Sequence, residues 1–405
     1  MNISYAQEGG EKEKPTVEEL KDRIDGIDES VNALITDVSG LKKIKVSGYM
    51  QIQFDKTEAN RSFTMSPYDS SDFDQSRFRV RRSRLKVTYD AGLTQYVLQG
   101  DFSNTGFSLK DAYIKITDPW LQYFSLQTGV FNRPAYEVEY SSSQRESMER
   151  SKIISTLYPG ERDLGAMLIV NPDEMFKFQF AAFNNTFKGT FSQADPNFNN
   201  EPLYYMARLI KEFALTDLGL GIDLGVHARF GNAIANTNSV LESDKGTKAV
   251  PDSSSVKKGD AIGRNWFGVE AQIYYDFLGG MKIMGEYIMG SNVDEFGTAA
   301  KPASIRKRDF SGFYVMLVKN ITEQWQFAAK YDSYNPNTKI AESDVDNAND
   351  LAFNTIGLGI HNYSFDNVRL SLWYDINKRA ENVNVKGFET SPINNLLTVR
   401  FQYKF

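Results

Sequence analysis

Residues 77–86 read RFRVRRSRLK, five arginines and one lysine in ten positions. Guanidinium groups stay charged at ordinary pH and meet phosphate or carboxylate oxygens through a planar fork of donors. A row of them on one surface raises the local anion concentration. Phe78 and Val80 alternate with Arg77, Arg79 and Arg81, so a strand here puts apolar groups on one face and arginines on the other. Leu85, Val87 and Tyr89 then continue the apolar set at odd positions. The phase has slipped by one residue, which predicts a β-bulge near Arg81–Ser83. Arg84 and Lys86 return to the basic face after it. The candidate basic ladder is Arg77, Arg79, Arg81, Arg82, Arg84 and Lys86.

A second charged stretch is the long link 134–161. It carries Arg145, Arg150 and Lys152 against Glu137, Glu139, Glu146, Glu149 and Glu161. In a channel, a long loop of this kind folds inward and narrows the passage. The candidate constriction residues are Arg133, Arg145, Arg150, Lys152, Glu146 and Glu149. Asp101, Asp111, Glu270, Glu286, Asp332 and Asp375 are further acids available to cancel the ladder. Little else has chemical promise. The chain has 2 histidines and 0 cysteines, which excludes disulfides and thiolate chemistry. His227 and His361 sit in no Ser-His-Asp pattern and no metal-ligand spacing. No glycine-rich phosphate loop occurs. These readings give no enzyme, no metal and no cofactor.

The ladder needs a scaffold with a wet interior. The 405 residues fit one large barrel, and no apolar run approaches the ~18 residues of a membrane helix; Gly165 to Val170 is among the longest. From Ile44 onward the pattern has period two. Ile44, Val46, Met50, Ile52 and Phe54 alternate with Lys45, Ser47, Tyr49, Gln51, Gln53 and Asp55. About 16 segments read this way, most near the ~10 residues of a membrane strand. In 218–230 the outward set is Leu218, Leu220, Ile222, Leu224, Val226, Ala228 and Phe230. Its partners Asp223, His227 and Arg229 need a water-filled lumen. Short links (Ala91-Gly92, 171–174, 214–217, 278–280, 320–323, 364–367) alternate with long polar ones (56–77, 134–161, 184–202, 231–263, 291–309, 334–353, 378–394). Only the link at 104–106 breaks the order. Sorted loops are a membrane-barrel feature. The last strand ends at Phe405, read as a barrel-assembly signal.

Upstream lies a different period. Val17, Leu20, Ile24, Ile27, Val31, Leu34, Val38 and Leu41 alternate spacings of three and four, the a and d positions of a coiled coil. Thr16 and Glu19 suit a capping box. The helix over 17–43 would be a stalk about 37 Å long. Val at a with Leu at d favours two chains, and Ile24 with Ile27 favours three. Residues 1–16 read as a flexible segment. MNISYAQ lacks the apolar core of a signal peptide, and Ala6-Gln7 reads as the remnant of a cleavage site. An even strand count puts both barrel ends on the short-turn, periplasmic side, with the stalk.

FRVRRSRLKV at 78–87, LKDAYIKI at 109–116, GVFNRPAYEVEY–SSSQRESMERS at 129–151 and GERDLGAML at 160–168 resemble the phosphate-selective porin O and P family. The resemblance covers about 45–405. It implies a 16-stranded trimeric barrel with an inward third loop and a basic channel, and three chains in the coiled coil. In phosphate-binding members, arginines of the RR motif and a lysine of the third loop shape the constriction. Arg81 and Arg82 match the former, and Lys152 is the only lysine in this loop. The expectation is an all-β, 16-stranded antiparallel transmembrane barrel with an N-terminal α-helical coiled coil, in the bacterial outer membrane. It would be a homotrimeric diffusion porin, bedded in outer-membrane lipid, preferring small hydrophilic anions such as phosphate. The acid-rich loop keeps a general porin open as the alternative. A third reading makes the barrel an anchor for a periplasmic stalk that contacts cell wall or a periplasmic protein. The net charge of −6 argues against nucleic acid.

Overall fold

The computed structural model describes residues 40, 42–57, 76–103, 106–173, 175–184, 202–235, 240–242, 250–252, 257, 259–276, 278–296, 304–341, 343, 345, 350–379, 382–385 and 395–405. Segment 1–16 and nearly all of 17–43 lie outside these residues, and with them the expected coiled coil. The chain divides into Met1–Lys45 and Val46–Phe405. In the first unit the Lys43 N–H donates to the Gly40 carbonyl at 3.2 Å.

Sixteen antiparallel strands form the barrel. They are β1 (Ile44–Thr57), β2 (Ser76–Asp90), β3 (Thr94–Ser103), β4 (Gly106–Thr117), β5 (Phe124–Asn132), β6 (Arg162–Asp173), β7 (Phe176–Phe183) and β8 (Tyr204–Leu215). Then follow β9 (Leu220–Phe230), β10 (Trp266–Tyr275), β11 (Met281–Phe296), β12 (Ser304–Asn320), β13 (Trp325–Asn335), β14 (Phe353–Phe365), β15 (Val368–Arg379) and β16 (Leu396–Lys404). Each pairs with its sequence neighbours, and β16 pairs with β1 from Tyr49↔Lys404 to Thr57↔Leu396, closing the ring. Closure leaves no strand edge unpaired, which a lipid setting requires. Two short strands, Val240–Glu242 and Val250–Asp252, extend this sheet, the first running parallel to Ile305–Lys307.

The barrel is apolar outside and polar inside. In β10 the residues from Trp266 to Ile273 alternate buried and exposed without a break. Glu270 is 5% exposed while Val269 beside it is 41% exposed. In β16, Arg400 is buried between exposed Val399 and Phe401. A soluble sandwich would show the reverse polarity. Exposed aromatics gather at both strand ends. Tyr96, Trp120, Tyr275, Trp325, Phe365 and Tyr403 lie at one end, toward the short turns, and Phe78, Phe102, Phe107 and Phe230 lie at the other. Paired girdles of this kind mark the two membrane interfaces.

Two expectations need correction. The link 291–309 is mostly strand, because β11 and β12 stay paired out to Phe296↔Ser304. Ladder hydrogen bonds form whatever the hydropathy, so a polar hairpin continues beyond the apolar band. The interior is also not uniformly polar. Met206, Met284, Ile288, Tyr314 and Met316 point inward and are buried together with Val138, Met148, Ile153, Ile154 and Leu157 of segment 134–161. The apolar inner positions occur where this segment is seated. Each such aliphatic side chain contributes roughly 1.5–3 kcal/mol of burial.

Candidate functional site

Segment 134–161 contains two short helices, α1 (Tyr136–Glu139) and α2 (Lys152–Leu157). Its contacts run right round the ring. The Ser142 carbonyl accepts from Gln51 on β1 at 3.0 Å, and the Ser143 carbonyl from Gln402 on β16 at 2.9 Å. Glu149 meets Arg81 on β2, and Glu139 meets Arg208 on β8, both at 2.7 Å. The Tyr158 hydroxyl accepts from Trp266 on β10 at 2.8 Å. The Glu137 N–H donates to Glu286 on β11 at 3.3 Å, and the Lys152 N–H to Asp332 on β13 at 2.8 Å. A segment held by strands from every quarter of a closed ring lies inside it.

One wall is basic. Arg77 and Arg79 both pair with Asp55, at 3.7 and 2.7 Å. Arg81 grips Glu149 through Nε and Nη2, at 2.8 and 2.7 Å. Arg82 lies 3.5 Å from the same carboxylate and donates to Gln51 at 3.1 Å. Arg81 and Arg82 are consecutive yet reach one group, so the strand's alternation breaks between them. Arg84 pairs with Asp101 at 3.0 Å. Arg400 on β16 adds a third guanidinium to Glu149 at 3.3 Å and also donates to Gln53 and the Met148 carbonyl. Burial alone would raise the Glu149 carboxyl, but Arg81, Arg82 and Arg400 hold it well below the usual carboxylate range. Glu161 is held low in the same way by Arg150, Arg162 and Arg84 against the effect of burial.

A second stretch of the ring is acidic. Glu270 and Glu286 face each other across β10 and β11, and Asp332 and Asp375 stand on β13 and β15. Its cations include Arg208, bound to Glu270 at 2.6 Å, and Lys330, bound to Glu137 at 2.7 Å. Here the loop presents backbone N–H groups to Glu286 and Asp332.

The predicted constriction residues divide by role. Arg145 is 1% exposed and donates to the Ser147 and Met148 carbonyls of its own loop. Arg150 donates to the carbonyls of Glu137, Val138 and Tyr140 and pairs with Glu161, tying α1 to α2. Arg133 pairs with Asp163 at 3.5 Å. These three hold the loop's shape. Lys152 places its ammonium 4.6 Å over the Phe353 ring. Glu146 pairs with Lys282 at 2.7 Å and borders two cavities of about 370 and 610 Å³ at the short-turn end. Lys86 is half-buried and has no ion pair or hydrogen bond among the described residues. Phe405 is 55% exposed, and its backbone exchanges hydrogen bonds with Gly48 at 3.0 Å, at the seam of the ring.

Several charged residues escaped the sequence reading. Arg400, Arg208, Lys330 and Lys282 each stand singly in a strand, with no cluster to draw the eye. Their signal was phase, since Arg400 falls between outward Val399 and Phe401. Lys110 had no such signal. It sits at a ladder irregularity, where Gln99 pairs with Asp111 and Gly100 with Leu109, and it lies within electrostatic reach of Arg84 and Glu161.

The sequence profile described as phosphate-selective porin O and P matches residues 50–405. No curated protein sequence matches the chain. Solved structures share the fold at low identity. OprB of Pseudomonas putida aligns at 10% identity with a TM-score of 0.62, covering 91% of this chain and 96% of that one. The outer-membrane channel DcaP of Acinetobacter baumannii aligns at 12% and 0.57, over 89% and 97%. The anion-selective porin from Comamonas acidovorans aligns at 12% and 0.56, over 89% and 99%.

Proposed function

The chain belongs to the phosphate-selective porin O and P family and is an outer-membrane channel, not an enzyme; on that premise we propose that it passes small hydrophilic anions in preference to cations. The observation that carries this reading is the sharing of Glu149. One carboxylate serves Arg82 and Arg400, whose other partners are the neutral Gln51, Gln53 and the Met148 carbonyl. That sharing leaves positive charge in excess at this point of the basic wall, and a low-dielectric lumen focuses the field. Lys86 and Lys110 add ammonium groups not tied to a carboxylate. Phosphate is the candidate solute, because arginine and lysine suit its oxygens. The working unit in this reading is a homotrimer, supported by the family resemblance and by the Ile24/Ile27 pair in the heptads. Residues 17–43 would then be its periplasmic coiled coil and Phe405 its assembly signal.

The test is the reversal potential of the purified protein in a planar bilayer across a potassium chloride gradient, with phosphate then added. The expected result is a potential on the anion side, block by low phosphate, and loss of preference when Arg77, Arg79, Arg81, Arg82 and Arg84 are replaced by Gln. A near-zero or cation-side potential would overturn the reading in favour of a general porin. The acidic wall of Glu270, Glu286, Asp332 and Asp375 favours that second reading. Deleting 8–43 separates the stalk from both. Trimers and conductance that survive the deletion would leave the stalk to contact cell wall or a periplasmic protein.

A further inference from the structure

His227, Glu270 and Glu286 stand on three adjacent strands, β9, β10 and β11. Glu270 and Glu286 are directly opposite each other, and His227 is opposite Gly268. Like charges so placed weaken a sheet unless a cation lies between them. Arg208 relieves Glu270, but no lysine or arginine among the described residues lies within ion-pair distance of Glu286. Its Oε2 accepts from the Glu137 N–H and the Tyr314 O–H, each at 3.3 Å. Its Oε1 is buried without a donor and faces His227 Nδ1 at 3.6 Å. That nitrogen is also 3.7 Å from Glu270 Oε2. The His227 side chain is 0% exposed, and neither ring nitrogen has a hydrogen-bond partner.

Two glycines make room for this cluster. A Cβ at Gly268 would fall 2.3 Å from His227 Cε1, and one at Gly225 would fall 2.6 Å from Glu270 Oε1. The imidazole and the carboxylate lean into space that not even a methyl group could share. We propose that His227, Glu270 and Glu286 bind one divalent transition-metal ion, with zinc the best match. One imidazole nitrogen with two carboxylate oxygens is a borderline donor set, which suits zinc better than calcium or magnesium. Tetrahedral bonds of ~2.1 Å put ligand atoms about 3.4 Å apart; His227 Nδ1 lies 3.6 and 3.7 Å from the two carboxylates, and all three ligand atoms lie within 4.8 Å of one another. The ligands come from separate strands, so no spacing in the sequence announces them. Because the Glu137 N–H caps Glu286, the ion ties the wall to α1.

The test uses the full-length protein in detergent, stripped with a chelator and titrated with zinc chloride. We expect one zinc per chain to survive gel filtration and to raise the midpoint of unfolding. His227→Gln and Glu286→Gln should each abolish both effects. No retained zinc in the wild type, or equal retention in both variants, overturns the proposal. Should the variants fail to fold, cobalt(II) added to the stripped wild type decides. A visible tetrahedral band supports the site, and its absence overturns it. None of these readouts depends on ion selectivity.

Discussion

The two walls of the lumen hold the same loop by opposite means. On β16, β1 and β2, guanidinium groups outnumber carboxylates, and the loop answers with Glu149. On β10, β11 and β13, carboxylates outnumber cations, and the loop answers with the N–H groups of Glu137 and Lys152. A full charge of the loop compensates the first wall, whereas on the second Arg208 and Lys330 take up Glu270, Glu139 and Glu137, and the loop's fixed N–H dipoles serve Glu286 and Asp332. Losing the charge should therefore cost more than losing any one dipole, and it should change the field that a passing ion meets.

The largest effect is expected from Glu149→Gln. Removing one partner from a buried ion pair costs about 3–5 kcal/mol. Unfolding in denaturant should show that loss, and the reversal potential should move further to the anion side. An unchanged potential would mean that the basic wall does not set selectivity. Next is Arg208→Gln, which strips the acidic wall of a cation shared by Glu270 and Glu139. The cost should be on the order of 3 kcal/mol, with a shift toward cations. Equal shifts of the same sign from both variants would break the contrast between the walls.

Acid should sharpen the contrast. The Glu149 carboxyl is depressed by Arg81, Arg82 and Arg400 despite its burial. A depressed carboxyl stabilises the fold fully above the ordinary value of 4.5 and loses its contribution as pH falls through the folded value. Denaturant stability of the basic-wall contacts should thus be alike at pH 7 and pH 5 and fall only in stronger acid. A drop already at pH 6 would contradict the clamp. The smallest effect is expected from Lys86→Gln. Stability should stay within ~0.5 kcal/mol, with a small loss of anion preference.

Much of the barrel was legible because lipid imposes period two on every strand. Val399 and Phe401 fix the side on which Arg400 lies, and the slip between Val80 and Leu85 falls where Arg81 and Arg82 both reach Glu149. The loop was legible only as charged and long. Arg145 and Arg150 read as pore groups; in the fold Arg145 donates to the Ser147 and Met148 carbonyls, and Arg150 to three carbonyls of the loop and to Glu161, uses that depend on a fold with no period. The buried apolar set on β11 and β12 was hidden for a related reason. Met284, Ile288 and Met316 interrupt a polar inner face where the loop is seated, with the Tyr136 hydroxyl of α1 donating to Met284 Sδ at 3.0 Å.

The seam between the last strand and the first carries a consequence for folding order. Gln51 and Gln402 bond to each other across it at 2.6 Å, and Arg400 bonds to Gln53. These same side chains hold the carbonyls of Ser142, Ser143 and Met148. Zipping the ring shut and docking the loop are therefore one cooperative event. A ring closed without the loop in its lumen would lack the bonds from Gln51, Gln402 and Arg400 to the loop carbonyls.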